Sequence, residues 1–377
     1  MNSTLSTAEV KKINCRKVYR MIYEQGAVSK QQIVSELSMG LSTVTQNLKD
    51  LEEAGLICRE GHFDSTGGRR AKMIRIVPDA RIAVGIGVQK EVMHFAAVDL
   101  YGSVLCKQTV NEPYEAAERY YARVGELLRE FLSTHGIRPE KIPGVSIATQ
   151  GLTSPDGRSM QYGVILGNGQ MKLSDFERHI PYPCRLIHDS TAAACWELWH
   201  HREVRTGLVL LLNRNFGGAV ILDGQVRQGE HMRGGLVEHL CLRRDGPLCY
   251  CGKRGCLETF CSAGRLEALA GMPAAEFFTT LPGDPHLQGI WDDYLDKLAF
   301  AIRNLSVVID GNIIISGYLA PFFQSEDIRI LTEKVNAEIP FPLSENQIIL
   351  GTHGQYAPTM GGALHYVQAF LNSVALQ

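Results

Sequence analysis

The sequence predicts an α/β protein that carries an N-terminal winged helix-turn-helix. Two observations predict this fold class. Residues 1–80 read as three helices followed by two strands, and from Arg81 onward apolar strands alternate with helices. The 377 residues are enough for roughly two or three domains. A hydrophobic content of 45% and a charged content of 21% are those of a soluble globular protein.

The first two predicted helices have recognisable ends. The first ends at Gly26, a residue that commonly stops a helix. The second opens at Ser29 with Gln32 three residues later, which is the spacing of a capping box. Apolar residues follow at helical spacing, namely Val18, Tyr19 and Ile22 in the first helix and Ile33, Val34 and Leu37 in the second.

The third predicted helix follows a short Met-Gly-Leu turn, is capped by Ser42 and ends at Gly55. Two helices joined by a short turn with glycine are typical of a helix-turn-helix. Small hydroxyls approach base edges and phosphates, Gln reads adenine, and Lys holds a phosphate. The predicted DNA-binding residues of this helix are Ser42, Thr43, Thr45, Gln46 and Lys49.

A wing is predicted after the third helix. The segment LICREGHFDSTGGRRAKMIRI reads as two strands around a glycine turn, with Arg69 and Arg70 placed to contact the DNA backbone or minor groove. Residues 1–80 carry 12 Lys and Arg against 9 Asp and Glu, and the remainder carries 26 against 31. This excess is small and by itself also fits compositional scatter. A helical protein-interaction domain is the alternative to DNA binding.

The body reads as buried strands and amphipathic helices. A hairpin is predicted at VDLYGSV, and the Gly- and Pro-rich segment LPGDPHLQG is predicted to be a connector before a helix that begins near Trp291. The predicted strands are IAVGIGV, MHFAAVDLYGSVL, PGVSIA, CRLIHD, GLVLLLN and NIIISG. No apolar run reaches the length of a membrane helix, and MNSTLSTAEVKKINCRK has no apolar signal core. We therefore expect a cytoplasmic protein without membrane insertion.

The stretch CYCGKRGC, residues 249–256, holds three of the ten cysteines. A disulfide scaffold, a redox site and a metal clamp are the candidate explanations. In a cytosolic chain, clustered cysteines indicate metal or redox chemistry before structural disulfides. Three close thiolates without a metal would repel one another and oxidise, so the stretch favours a metal site.

These features together resemble the ROK family (repressors, open reading frames and kinases) over nearly the full length. The resemblance rests on CYCGKRGCLE, the upstream His239, HDSTAAACWE around Asp189, and GGAVILDG. The N-terminal winged helix is that of the repressor branch, which the sugar kinases lack. The family implies a two-lobed actin-like (ribonuclease H-like) ATPase fold, with a sugar site in the cleft and a structural zinc beside it.

The resemblance also implies a division of the chain and a set of zinc ligands. We expect a DNA-binding domain at 1–80, a first lobe at 81–190 completed by a C-terminal helix at about 365–377, and a second lobe with the zinc site at 191–364. The implied zinc ligands are His239, Cys249, Cys251 and Cys256. A slip of two residues would instead bring Cys241 to the metal in place of His239, giving a four-cysteine site.

The nucleotide loops of the family kinases are degraded in this chain. The first phosphate loop of the kinases, Asp-x-Gly-Gly-Thr, corresponds here to residues 85–90, GIGVQK. The second loop, Gly-Thr-Gly, is replaced by residues 213–215, and a late Gly-Gly pair reads Ser316-Gly317. Glycines let backbone N–H groups approach a phosphate, so their loss predicts loss of ATP binding and of kinase activity.

The sugar side is better kept. Asp189 matches the catalytic Asp of the family and is vestigial without ATP, serving as a hydrogen-bond acceptor; the alternative is a structural acid. His188 stands where the kinases have Asn. The predicted ligand-binding residues are His188, Asp189, His239 and Glu258.

One sugar contact departs from the family. The family Glu three residues before the His is Leu236 here. Glu238 is close in sequence and is a candidate substitute, although on a regular backbone it points elsewhere. This departure leaves the identity of the sugar open.

The sequence thus predicts a sugar-responsive transcription regulator of carbohydrate metabolism, with a repressor favoured over an activator. Its partners would be operator DNA, a sugar or sugar phosphate effector, and further copies of the chain in a homodimer or homotetramer. The ligand would favour one arrangement of the lobes. Two alternatives remain: an active ATP-dependent sugar kinase with an appended DNA-binding domain, and a repressor controlled by a partner protein.

Overall fold

The computed structural model describes residues 6–63 and 71–374. These residues form a small head and a body built on two five-stranded sheets. The helices are α1 (Thr7–Gln25), α2 (Lys30–Glu36), α3 (Leu41–Glu53), α4 (Glu118–Thr134), α5 (Leu173–Glu177), α6 (Asp189–His200), α7 (Glu258–Cys261), α8 (Ala263–Ala270), α9 (Ala274–Thr280), α10 (Pro285–Ser306), α11 (Ser325–Asn336) and α12 (Ala357–Ser373).

The strands follow the same chain order. They are β1 (Ile57–His62), β2 (Lys72–Ile76), β3 (Ala83–Val88), β4 (Met93–Val98), β5 (Val104–Val110), β6 (Val145–Thr149), β7 (Leu152–Thr153), β8 (Met160–Tyr162), β9 (Cys184–His188), β10 (Gly207–Leu212), β11 (Phe216–Leu222), β12 (Gln225–Arg227), β13 (Asn312–Ser316) and β14 (Ile348–Leu350). No helix within the described ranges is both long and apolar enough to cross a membrane.

The head contains the three predicted helices. Helix α1 ends at Gly26, whose φ of 74° only glycine adopts readily, and Ser29 and Gln32 form the predicted capping box of α2. The prediction that Ser42 caps α3 is wrong. The N-cap is Gly40, in an extended conformation with no side-chain cap, and Ser42 lies inside the first turn because the helix already begins at Leu41.

The two predicted strands of the wing pair in antiparallel fashion. Ile57 faces Ile76 across the β1–β2 pair, and Val28 bridges to β2 through reciprocal backbone hydrogen bonds with Ile74 of 3.0 and 2.8 Å. These bonds tie the entry of α2 to the strands. The predicted wing residues Arg69 and Arg70 lie outside the described residues.

The two sheets of the body share one topology. The first has the order β5-β4-β3-β6-β9 and the second the order β12-β11-β10-β13-β14. In each sheet three antiparallel strands are followed by two parallel strands. The predicted hairpin joins β4 to β5. The carboxyl ends of the parallel strands therefore form a cleft region in which polar side chains gather.

Helix α12 packs on the first sheet and on α6. It begins at Ala357, earlier than the predicted start near residue 365. A Cβ atom at Gly85 would lie 1.9 Å from the carbonyl oxygen of Thr359, and one at Gly87 would lie 2.4 Å from the Thr359 hydroxyl. The two glycines of β3 therefore serve the close approach of α12.

Helix α10 begins earlier than predicted as well. It starts at Pro285 rather than near Trp291, and Asp284 caps it by accepting the N–H groups of His286 and Leu287 at 2.8 and 3.2 Å. Glycine and proline in LPGDPHLQG resemble a linker, but proline is also favoured at the first position of a helix. The second half of the predicted connector is thus the first turn of α10.

The head packs directly against the body. One hydrophobic cluster contains Tyr19 and Ile22 of α1 together with Leu364 of α12. The hydroxyl of Tyr23 donates to the carbonyl of Leu100 at 2.9 Å, and its ring stacks on Tyr101 at 4.8 Å between centroids. The head therefore contacts the body through an apolar cluster, a hydrogen bond and a ring stack.

Candidate ligand cleft and metal centre

A cavity of about 460 Å³ lies between the two sheets at their strand ends. Gln150 follows β6, Asp189 follows β9, and Asn215 stands in the turn between β10 and β11. The segment from Arg233 to Lys253 closes the remaining side. We call this cavity the ligand cleft.

Asp189 stands at the first position of α6 and faces the ligand cleft. Its Oδ1 accepts the N–H of Ser190 at 2.7 Å and lies 3.3 Å from Nε2 of His188. Burial raises the pKa of Asp189, while His188 and the hydrogen bonds from Ser190 oppose that shift. Burial also lowers the pKa of His188. The pair therefore lies in a poorly solvated part of the ligand cleft, because burial shifts the pKa of both groups toward their neutral forms.

Glu238 reaches the ligand cleft, contrary to the expectation from a regular backbone. A 3-10 turn at Val237–His239 follows Leu236, whose ψ of 53° departs from a regular strand or helix, and this turn places Glu238 on the cleft wall. Glu238 is 5% exposed, and its Oε2 has no hydrogen-bond partner among the described residues. Burial, together with the charges of Asp189 and Glu258, raises the pKa of Glu238 to about 8. A buried carboxyl oxygen without a partner indicates an absent donor.

Glu258 is not among the residues that line the ligand cleft, and its direct contact with a ligand stays a prediction. Its Oε1 accepts the side-chain amide of Asn215 at 2.9 Å, and its Oε2 accepts the N–H of Phe216 at 2.6 Å. Asn215 and Phe216 themselves line the cleft. Glu258 therefore positions the turn between β10 and β11, because both of its oxygens are occupied by protein donors.

One hydrogen bond crosses the ligand cleft from sheet to sheet. The amide of Gln150, at the end of β6, donates to Oδ1 of Asn215 at 3.4 Å. Asn215 in turn donates to Glu258. This chain of contacts joins the first sheet to the segment after the cysteine motif, and sequence analysis missed Gln150 and Asn215. Their positions directly after strands β6 and β10 are the signal that could have found them.

Two cations also line the ligand cleft and were missed by sequence analysis. Arg233 and Lys253 are both exposed, and neither side chain makes an ion pair with the described part of the chain. Lys253 lies inside the cysteine motif, and sequence analysis considered only the thiols of that motif. The cleft therefore combines carboxylates in its interior with free positive charge on exposed residues.

Beside the ligand cleft, His239, Cys249, Cys251 and Cys256 bring their donor atoms within 4.8 Å of one another. Sγ of Cys249 lies 3.9 Å from Nδ1 of His239, and Sγ of Cys251 lies 3.7 Å from Sγ of Cys256. Ligands in a tetrahedron around zinc at about 2.3 Å would be about 3.8 Å apart. Three thiolates and one imidazole at these distances fit a tetrahedral metal ion.

The described geometry favours His239 over Cys241 as the fourth ligand. Cys241 is exposed, and its thiol points to the carbonyl oxygen of Arg254 at 3.7 Å. It lies outside the donor cluster. The two-residue slip considered from the sequence is thus not the arrangement adopted.

Glycines shape the metal loop. Gly252 and Gly255 have φ values of 82° and 74°. A Cβ atom at Gly255 would lie 1.6 Å from the carbonyl oxygen of Arg243, so a side chain there would push apart the two strands of the loop. The spacing CYCGKRGC therefore encodes a tight turn that returns Cys256 to Cys251.

A second cavity of about 280 Å³, which we call the nucleotide-side cavity, lies next to the ligand cleft. It is lined by the β3–β4 turn from Gln89 and by Asn213 and Arg214. Oδ1 of Asn213 accepts the N–H of Tyr318 at 2.8 Å, and Arg214 lies 3.9 Å from Glu267. The N–H that follows Ser316-Gly317 is therefore already bound to a side chain.

The predicted DNA-binding residues of α3 share one exposed region. Ser42, Thr45, Gln46 and Lys49 are exposed and Thr43 is half-buried. Thr45 donates to the carbonyl of Leu41 at 2.6 Å, and Gln46 donates to Asp50 at 2.6 Å. These local bonds satisfy the side chains in the absence of a partner.

Comparison with known proteins identifies the family of this chain. A family model described as "ROK family" matches residues 81–368. The chain is 26% identical over 263 residues to the "DNA-binding transcriptional dual regulator NagC" of Escherichia coli, an alignment that covers 68% of this chain and 64% of that regulator. It is 23% identical to a "Xylose repressor" of Caldicellulosiruptor bescii over 87% of this chain and 88% of the repressor.

Solved structures show the same fold. A ROK family transcriptional regulator described as a homolog of the E. coli MLC protein has a TM-score of 0.75 at 20% identity, covering 97% of both chains. A ROK family glucokinase from Streptomyces griseus, in complex with glucose and AMPPNP, has a TM-score of 0.67 at 17% identity, covering 76% of this chain and 99% of the kinase. The predicted fold class is confirmed.

Proposed function

Because the chain belongs to the ROK family, we propose that it is a sugar-responsive DNA-binding repressor of carbohydrate metabolism genes. The observation that carries the proposal is the ligand cleft, in which Asp189 and the unpartnered Oε2 of Glu238 await donors, on a body packed against a helix-turn-helix head. Similarity to repressors over the head and body supports it. Its partners are operator DNA and further copies of the chain, and its compartment is the cytoplasm.

The effector is a sugar or sugar phosphate. Carboxyl groups hydrogen-bond sugar hydroxyls, and Asp189 and Glu238 supply two such groups in a poorly solvated site. Arg233 and Lys253 are placed to hold a phosphate, since both are cationic and lack a counter-ion among the described residues. His188 and His239 complete the polar wall. Glu238 takes the acceptor role that the family Glu holds at the position of Leu236.

The metal is a structural zinc held by His239, Cys249, Cys251 and Cys256. Zinc with four protein ligands stabilises a fold and leaves no open coordination position. His239 and Cys251 also line the ligand cleft. The ion therefore shapes the wall of the effector site.

Kinase activity is lost. Three features support this. The N–H of Tyr318 is already bound by Asn213, and the two glycines of β3 pack against Thr359. The β3–β4 turn at Gln89 has no glycine that would let a phosphate approach its backbone. A coupled ATPase assay with hexoses and amino sugars tests the proposal. Turnover that disappears in Asp189→Asn would establish a kinase instead.

Helix α6 joins the effector site to the head. It begins at Asp189 in the ligand cleft and ends near Trp199, whose indole N–H donates to the carbonyl of Tyr101 at 2.8 Å. The ring of Tyr101 stacks on Tyr23 of α1. A ligand that prefers one position of α6 therefore biases the position of the head. Coupling between two sites of this kind is typically about 1–3 kcal/mol, or about 5–150-fold in affinity.

The test of the repressor function is operator affinity, measured by fluorescence anisotropy with and without the sugars and sugar phosphates that bind in calorimetry. We expect effector binding to lower operator affinity and Gln46→Ala to weaken it in both states. Asp189→Asn should keep operator affinity and lose the response. Sugars that bind the ligand cleft but leave operator affinity unchanged would refute sugar control and favour control by a partner protein.

A further inference from the structure

A cavity separate from the ligand cleft lies at the boundary between head and body. Its volume is about 560 Å³, and we call it the junction cavity. Helix α1 of the head, strand β9 of the first sheet, the β11–β12 hairpin of the second sheet and helices α6 and α12 all contribute to its lining. The head and both sheets therefore all contribute to this cavity.

Positive charge dominates the junction cavity. Arg20, Arg185 and Arg202 line it, and the one carboxylate among the described lining residues is Glu24. Glu24 is already paired, since its Oε1 accepts Nε of Arg20 at 2.7 Å. Two guanidinium groups remain uncompensated in the cavity.

The uncompensated groups are held by carbonyls and by an aromatic ring rather than by acids. Nη2 of Arg185 donates to the carbonyl of Pro155 at 2.9 Å. Nε of Arg202 donates to the carbonyl of Trp199 at 3.3 Å, its guanidinium lies 5.0 Å from the centre of the Trp199 ring, and Arg202 also hydrogen-bonds the side chain of Tyr23. Neither has a carboxylate within 4.0 Å in the described ranges. These contacts fix the planes of both groups and leave donors free for an anion.

The remainder of the lining suits an organic molecule. Leu198 and Leu364 provide an apolar wall, while Gln225 and Gln368 provide amides. Ligand sites in proteins combine such apolar walls with a few polar groups, and typical volumes are about 300–1,000 Å³. A hexose phosphate is of a size for this space.

We propose that the junction cavity binds a small phosphorylated organic molecule at a second site, separate from the ligand cleft. Arg185 and Arg202 hold the phosphate, because the planar guanidinium fork matches phosphate oxygens in pairs. The bound molecule contacts the head through α1 and the body through β9 and α6. This inference does not depend on the effector assigned to the ligand cleft.

The experiment is calorimetric titration of the full-length Asp189→Asn protein, whose ligand cleft is weakened, with glucose 6-phosphate. We expect saturable binding that inorganic phosphate displaces and excess glucose does not. Adding Arg185→Gln and Arg202→Gln should raise the Kd at least about tenfold. The matched control is Arg205→Gln, an exposed arginine outside the cavity lining, which should leave the Kd unchanged.

A second variant guards against misfolding of the double arginine mutant. Gln368→Trp fills the cavity from an exposed position on α12 and keeps every charge. It should also abolish binding, with an unchanged thermal transition. No saturable binding, displacement by excess glucose, or a Kd unaffected by both the double substitution and Gln368→Trp would overturn the proposal.

Discussion

The ligand cleft and the nucleotide-side cavity are built from neighbouring strand ends, yet they use their polar groups in opposite ways. In the ligand cleft, Oε2 of Glu238 is buried without a partner and Asp189 faces the open space. In the nucleotide-side cavity, Asn213 binds the N–H of Tyr318, and Arg214 lies near Glu267. One cavity keeps groups ready for a ligand, and the other has satisfied them within the protein.

The proposed function accounts for this difference. A sugar-sensing domain would keep the groups that bind a sugar, whereas backbone groups that would hold a nucleotide in a kinase would be used in packing. Gly85 and Gly87 illustrate such packing, because each admits Thr359 of α12 at a distance that no side chain allows. Burying a carboxyl oxygen without a hydrogen-bond partner costs stability, so its retention at Glu238 argues for a ligand in the ligand cleft.

The largest effect is expected for loss of the proposed metal. Two of its proposed ligands, His239 and Cys251, line the ligand cleft, and none of the four lines the nucleotide-side cavity. Cys251→Ser removes a ligand from the wall of the ligand cleft, and we expect destabilisation on the order of several kcal/mol together with loss of bound zinc. Metal analysis and thermal unfolding measure both. Cys241→Ser is the matched control, since this exposed cysteine lies outside the donor cluster. Equal melting curves for both variants would contradict a structural metal at this site.

The next effect concerns Glu197 of α6, which is fully buried against the second sheet and lies outside both cavities. Its oxygens accept Oγ of Ser316 at 2.6 Å and the N–H of Thr352 at 3.1 Å. Burial raises the pKa of Glu197 from its usual 4.5 to about 7, against the pull of these hydrogen bonds. The folded state therefore binds a proton more tightly than the unfolded state, so this contribution to stability is full below pH 4.5 and is lost as the pH rises through about 7.

The Glu197 part of the change from pH 4.5 to pH 8 is expected to be about 3 kcal/mol, from the shift of the Glu197 pKa, and Glu238 contributes in the same direction. Denaturant unfolding across this range measures it. Glu197→Gln should flatten that part of the profile, because the amide keeps both hydrogen bonds once the Ser316 hydroxyl turns to accept. An unchanged slope in Glu197→Gln would assign the pH dependence to other groups.

A smaller effect is expected for single substitutions at the two cavities. Asp189→Asn removes a charged acceptor and should weaken effector binding about tenfold to a hundredfold, as measured by calorimetry. The matched substitution on the nucleotide side, Gln89→Ala, should leave effector affinity unchanged. A similar loss in both variants would mean that the two cavities act as one site.

The smallest effect is expected for the nucleotide itself. Millimolar ATP with Mg²⁺ should shift the thermal transition by less than about 1 °C, whereas the effector at 100 times its Kd should stabilise the protein by about 2.7 kcal/mol. A large shift with ATP would show that the protein binds the nucleotide, and it would favour the alternative that the protein is a sugar kinase.

Local sequence patterns predicted much of the fold and the metal site. The capping box at Ser29, the glycine stop at Gly26 and the return of CYCGKRGC depend on neighbouring residues, so spacing alone reveals them. The same local view failed at Ser42, where Gly40 opens the helix, and at Pro285, where a helix start resembles a linker.

The amino-acid sequence by itself indicated the order of the elements, the His/Cys cluster that could hold a metal, and the loss of glycine from the loops that match the nucleotide loops of the family kinases. Tertiary structure alone decided that Glu258 turns to Asn215, and the irregular ψ at Leu236 places Glu238 on the wall of the ligand cleft. Tertiary structure also formed the junction cavity, because its arginines come from α1, β9 and the residues just after α6. Sequence spacing encodes contacts within a turn, whereas contacts between distant segments depend on how whole sheets and helices pack.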